Sequence, residues 1–138
     1  MRLEVTRKSD LAVRVMRVPA GSSKRVKGPA LAEAVGSTAG FVAQVMNPLV
    51  RKGWVRSDPG PSGGYLLAVD PASVSLLAVI ESVEGPTDAG RCVSANLPCR
   101  ESGTCALHYP WQRARAHFLS ELDATSVAEA LLAEGAMS

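Results

Sequence analysis

Apolar residues recur at helical spacing from the start of the chain. Leu11, Val13, Val15, Met16 and Val18 form a stripe across Asp10 to Val18, with Arg14 and Arg17 on the other side. This pattern predicts an amphipathic helix, with Asp10 as a candidate N-cap or a start slightly earlier, ended by Pro19-Ala20-Gly21. A polar stretch, Ser22 to Arg25, leads to a short second helix with Pro29 in its first turn and Leu31, Ala32 and Val35 as its inner stripe. Gly36-Ser37-Thr38 breaks the pattern and supplies a fresh N-cap. The third helix is predicted from about Ala39 to Lys52, with Phe41, Val42, Val45, Met46, Leu49 and Val50 facing inward and Gly53 closing it. Pro48 lies inside it and removes one backbone donor, so a bend in its second half is expected.

The period then changes. Trp54-Val55-Arg56 and Tyr65 to Val69 are strand-like, and the Gly/Pro-rich stretch between them reads as a hairpin loop. Leu76, Leu77, Val79, Ile80 and Val83 return to helical spacing. Trp111, Ala114, Phe118 and Leu122 recur along a further helix starting near Pro110, a stripe that one copy of so short a chain has little to cover. A short helix, a glycine-bearing turn, a longer helix and a hairpin form the winged helix-turn-helix pattern. The expected class is therefore mainly α with a small β-wing.

Length and composition narrow this picture only slightly. The chain has 138 residues, one domain's worth, and is 46% hydrophobic, enough for a packed core. No apolar run approaches the roughly 18 residues needed to cross a bilayer, and no apolar leader opens the chain, so a cytoplasmic protein with no membrane partner is expected. The net charge of +2 conceals a division: residues 1–57 carry +8 and residues 58–138 carry −6. A basic module behind an acidic remainder points to a polyanion, and double-stranded DNA is the first candidate. The residues expected to meet DNA are Thr38, Gly40, Phe41, Gln44, Arg51 and Lys52 from the third helix. Arg56, Ser62, Gly63, Gly64 and Tyr65 are expected from the wing. Gln44 can pair bidentately with adenine, Ala43 offers only apolar contact, and Gly63 and Gly64 permit close backbone approach. No nucleophile–base pair or other catalytic constellation is evident, and an enzyme is not expected.

The candidate chemistry is concentrated in one segment. All three cysteines, Cys92, Cys99 and Cys105, stand at C-x6-C-x5-C spacing among loop-forming residues, and His108 follows after two intervening residues. An odd number of thiols cannot all pair internally, and in a reducing compartment such a cluster reads as metal-binding or redox-active. Structural zinc favours tighter C-x2-4-C knuckles, whereas wide spacings suit a larger iron–sulfur cluster. Three thiolates leave one ligand to be supplied by His108, by a carboxylate, or by another subunit. A weaker fourth ligand leaves one iron more open to attack, which suits a sensor.

The opening M-R-L, the A-V-R stretch, the helix-turn-helix, G-P-S-G-G-Y-L-L, V-D-P-A-S-V-S-L and the three-cysteine loop occur in an order that resembles the Rrf-two family of bacterial winged-helix regulators. The resemblance covers nearly the whole chain. It implies a homodimer with a winged helix-turn-helix DNA-binding domain at 1–72. It implies a region at 73–138 made of a linking helix, a cluster-binding loop (88–108) and a long C-terminal dimerisation helix (109–138). The implied cofactor is an iron–sulfur cluster, 2Fe–2S or 4Fe–4S, held by Cys92, Cys99 and Cys105. The offset of His108 resembles the IscR-like branch, while R-K-S-D-L-A-V-R resembles the NsrR-like branch, in which Asp10 of a partner subunit would complete the site. Both fourth ligands stay open. Two positions depart from the family: Pro59 stands where relatives often place a minor-groove arginine, for which Arg56 is a possible substitute, and Ala43 replaces a glutamate of the IscR-like branch. The expected function is a transcriptional regulator, as a repressor, that senses nitric oxide, redox state or cluster supply. The alternatives are a zinc- or thiol-based regulator of the same fold and a small electron-transfer protein.

Overall fold

The computed structural model describes residues 3–18, 24–87 and 105–137, with backbone alone at 136 and 137. The first helix, α1, is Arg7–Val15 and begins earlier than the apolar stripe suggests. Its N-cap is Thr6, whose hydroxyl accepts from the Ser9 N–H at 3.1 Å, so Asp10 lies inside the first turn and is not the cap. The start moves upstream because Ser9 is fully buried and its hydroxyl donates to the Glu84 carboxylate, a contact 75 residues away in sequence.

Helices α2 (Gly28–Val35) and α3 (Ala39–Arg51) follow, joined by a turn at Gly36–Ser37. Thr38 caps α3 as expected, its Oγ1 accepting from the Phe41 N–H at 3.2 Å. Val42, Val45, Met46 and Leu49 are completely buried, so the i, i+3, i+4, i+7 rule selected the right face. Truncating such a residue to alanine typically costs about 2–5 kcal/mol. Pro48 is buried within α3, and the helix continues past it to Arg51.

Strands β1 (Val55–Asp58) and β2 (Gly64–Leu67) form an antiparallel hairpin with Val55 opposite Leu67 and Asp58 opposite Gly64. One more bridge, Val26 to Tyr65, with N–H···O distances of 2.9 and 2.8 Å, ties the segment before α2 to the outer side of β2. After a 3₁₀ turn at Pro71–Ser73, capped by Asp70, comes α4 (Leu76–Glu84), started by the Ser75 hydroxyl on the Ala78 N–H.

The C-terminal span expected to be one helix is two: α5 (His108–Ala124) and α6 (Val127–Met137). The interruption is tertiary in origin. Leu76 N–H donates to the Thr125 carbonyl and Val127 N–H to that of Val74, each at 2.9 Å, so the chain is drawn extended alongside Ser75 before it can resume a helix. Val127 thereby enters the same core as Val15, Met46, Leu49, Val74 and Val79. Helix α5 differs from every other long element: it packs on α4, and none of its residues is buried. None of the helices among the described residues is long and apolar enough to cross a membrane.

Candidate nucleic-acid interface and metal centre

The outer face of α3 is set by what its inner face buries. Gly40, Gln44, Asn47 and Arg51 are all exposed and stand at intervals of four, three and four residues, a single stripe. Three of the four were expected from the sequence. Asn47 was not, although its spacing from Gln44 was the available signal, and its amide offers the same bidentate chemistry toward adenine. Lys52, the C-cap, is exposed beside Arg51. Thr38 spends its hydroxyl on the cap. Phe41 packs against the core, as does Tyr65, so both support the interface from beneath.

The wing turns at Gly60–Gly63, closed by the Gly63 N–H on the Gly60 carbonyl at 3.0 Å, with Ser62 exposed at its tip. Gly63 and Gly64 have a reason internal to the fold. A Cβ on Gly63 would stand 2.0 Å from the Asp58 carbonyl oxygen, and one on Gly64 2.8 Å from that of Val26. The close backbone approach these glycines permit is internal, Gly63 to the wing's own turn and Gly64 to the segment before α2.

Arg56 is exposed, and its Nε lies 3.3 Å from Asp58 Oδ1, while Arg25 Nε is 2.6 Å from Oδ2. The hydrogen bond from Arg25 is the chief reason the Asp58 carboxyl titrates below its ordinary range; partial desolvation opposes it and the Arg56 charge adds to it. Lys27 Nζ donates to the Pro61 carbonyl at 2.6 Å. Arg25 and Lys27, absent from the sequence-based site, therefore join the wing, and the basic run Lys24 to Lys27 was the signal for them.

Of the expected metal ligands, Cys92 and Cys99 lie outside the described residues. Cys105 is half-buried and begins the turn that starts α5: its carbonyl accepts the His108 N–H at 3.1 Å. His108 is the first residue of α5, edge-on to the Tyr109 ring with centroids 4.9 Å apart. The two candidate ligands at 105 and 108 are thus one turn apart. Asp10 belongs to a different place. Its carboxylate pairs with Arg14 at 3.2 Å, and it lines a cleft of about 170 Å³ with Arg7, Gly36, Ser37 and Phe41, against the turn of the helix-turn-helix. Among the described residues no three of His, Cys, Asp and Glu converge as a ligand set. Three thiols with an imidazole or carboxylate are, by their chemistry, suited to iron–sulfur ligation.

A second groove, of about 260 Å³, lies at the foot of α5 between Leu3, Val5, Ile80, Pro86, Phe118 and Leu122. Leu3 is 67% exposed and Phe118 44%, high values for side chains of this size.

The sequence pattern of the Rrf2 family, described as an iron-dependent transcriptional regulator, matches residues 5–133. The HTH-type transcriptional regulator IscR of Yersinia pseudotuberculosis is 31% identical over 99 residues, which are 72% of this chain and 60% of the relative. This match therefore spans less than two thirds of that protein's length. An HTH-type transcriptional regulator of Neisseria meningitidis is 34% identical over 111 residues, 80% of this chain and 70% of its own. Among solved structures, the oxidized form of Staphylococcus aureus CymR superposes with a TM-score of 0.70 at 22% identity, covering 92% of this chain and 94% of that one. The T. potens IscR structure superposes with a TM-score of 0.70 at 21% identity, covering 96% and 88%. These structural likenesses establish the winged-helix fold, and the family match, extending over almost the whole chain, establishes descent: the protein belongs to the Rrf2 family of transcriptional regulators.

Proposed function

We propose that this chain is a homodimeric, cytoplasmic, DNA-binding repressor whose cysteine segment holds an iron–sulfur cluster, 2Fe–2S or 4Fe–4S, and reports nitric oxide, redox state or cluster supply. The observation that carries the DNA reading is the exposed stripe Gly40, Gln44, Asn47 and Arg51 on α3 of a winged helix. In such a motif the first turns of the second helix meet base edges in the major groove. Gln44 and Asn47 offer amides suited to adenine, and Arg51 and Lys52 offer cations suited to phosphate. The family description as iron-dependent supports the cofactor.

Cys92, Cys99 and Cys105 would be the thiolate ligands, with His108 or the partner subunit's Asp10 as the fourth. When bound, the cluster would supply one-electron redox chemistry and iron open to nitric oxide. The chain's own residues do the rest. Cys105 stands just before the N-terminus of α5, one turn from His108. Asp10 already rests against the Gly36–Ser37 turn, so a change in what its carboxylate binds acts next to the start of α3. The head, residues 1–72, would read DNA, and the segment from residue 73 onward would sense and dimerise. A coupling of about 1–3 kcal/mol between ligand state and DNA binding corresponds to a change of several-fold to about a hundredfold.

The test begins with anaerobic isolation, analysis of iron, sulfide and zinc, and absorption spectroscopy. A brown protein with charge-transfer bands is expected; a colourless zinc protein would replace the cluster with zinc. Duplexes selected from randomised DNA by the cluster-loaded protein then serve as probes in fluorescence anisotropy. Equal affinity with and without the cluster would sink the switch, and failure to enrich any duplex would sink the DNA reading.

A further inference from the structure

The tip of the wing, Pro59 to Gly63, contains no cation, yet two cations, Arg25 and Arg56, meet at its base. Arg56 and Asp58 are two residues apart on β1 and share a face of the strand. Arg25 arrives from the neighbouring segment that the Val26–Tyr65 bridge holds against β2. Each oxygen of the Asp58 carboxylate thus receives one guanidinium, Oδ2 from Arg25 at 2.6 Å and Oδ1 from Arg56 at 3.3 Å. The placement of guanidinium N–H groups from two arginines on the two oxygens of one small anion is also a way in which arginines engage a phosphate.

We propose that Asp58 is an internal stand-in for a DNA phosphate, occupying Arg25 and Arg56 in the free protein so that a duplex phosphate must displace it to reach them. The inference deepens the DNA-binding reading above and rests on it. Its physical content is an exchange: one charge-assisted pair is broken for each one formed, and the remaining carboxylate repels the incoming phosphate. The wing then adds little sequence-independent affinity, and discrimination is left to the amides of α3. The Asp58 carboxyl is ionised at neutral pH, and the hydrogen bond from Arg25 lowers its titration further. With one carboxylate between them, the two arginines present a net single positive charge.

The experiment uses the full chain and a labelled duplex of mixed sequence, with binding followed by anisotropy across a salt series. Asp58→Asn keeps the shape and removes the charge. Relative to the unmodified protein it should bind about three- to tenfold tighter near 0.1 M salt, and log K against log salt should steepen by about 0.9 to 1.8, one or two further phosphates neutralised. Asp58→Ala, which carries no amide to substitute for the carboxylate, should behave alike. Glu33→Gln removes an exposed negative charge from α2 and should leave the slope unchanged. If both Asp58 variants are folded at the assay temperature but bind no tighter, or bind more weakly, the carboxylate orders the wing for binding and the inference is overturned while DNA binding stands. A Glu33→Gln protein that matches Asp58→Asn overturns it as well, since the effect is then general charge. Absence of duplex binding by the unmodified protein overturns both this inference and the DNA reading.

Discussion

Gly40 occupies the first turn of α3, exposed, with nothing within 4 Å of the place a Cβ would take. Neither packing nor backbone conformation calls for glycine there, and glycine weakens a helix. Gly40→Ala is therefore expected to stabilise the fold by about 0.5–1 kcal/mol. If the stripe on α3 is the DNA-reading surface, the same methyl stands between helix and groove and affinity falls. Urea denaturation and anisotropy on a selected duplex check the two signs together. A variant more stable and equally tight would place the DNA contact elsewhere on the helix. Thr38, two residues upstream, contrasts with this: its hydroxyl is committed to the Phe41 N–H, so its loss acts on stability first.

The wing is the element whose shape depends most on single atoms. Gly63 is fixed by its own backbone, since an added Cβ would meet the Asp58 carbonyl at 2.0 Å. Gly63→Ala is expected to open the hairpin and cost about 1–3 kcal/mol, read as a lower urea midpoint. The ion cluster beside it has a pH signature. The folded-state titration of Asp58 is depressed, so its stabilising contribution is present above the unfolded carboxylate range near pH 4 and is lost as pH falls through the lower folded value. The melting-temperature difference between the unmodified protein and Asp58→Asn should accordingly be constant from pH 6 to 8 and shrink below about pH 4. A difference that persists at lower pH would mean that the carboxylate's charge is not what matters.

At the scale of the molecule the unfinished element is α5. It has seventeen residues and none is buried, while Leu3, Val5, Ile80, Phe118 and Leu122 line an apolar groove along its foot. A second copy covering this face is the proposed dimer. Phe118→Asp would place an unpaired carboxylate in that contact, and the dimer dissociation constant should rise by about 100-fold or more, measured by sedimentation. An unchanged dimer would move the interface away from this face.

Elements with local causes were legible along the chain. The three helices of the head, the Thr38 cap and the buried face of α3 follow from intervals of three and four residues, and the hairpin from a Gly/Pro-rich turn between two apolar runs. The cysteine spacing and the charge division named the kind of chemistry in the same way. Contacts across long stretches of chain account for the remainder, which emerged only in the fold. It moved the start of α1 to Thr6, because Ser9 meets Glu84 across 75 residues. It split the C-terminal helix, because Val74 and Leu76 capture the backbone at Thr125 and Val127. It also placed Arg25 on Asp58, 33 residues away, joining the expected Arg56 and a cation absent from the sequence-based site in one ion cluster. Periodicity records which face of an element is apolar; it carries no information about which distant side chain that element will meet, and the wing electrostatics and the end of α5 are set by those meetings.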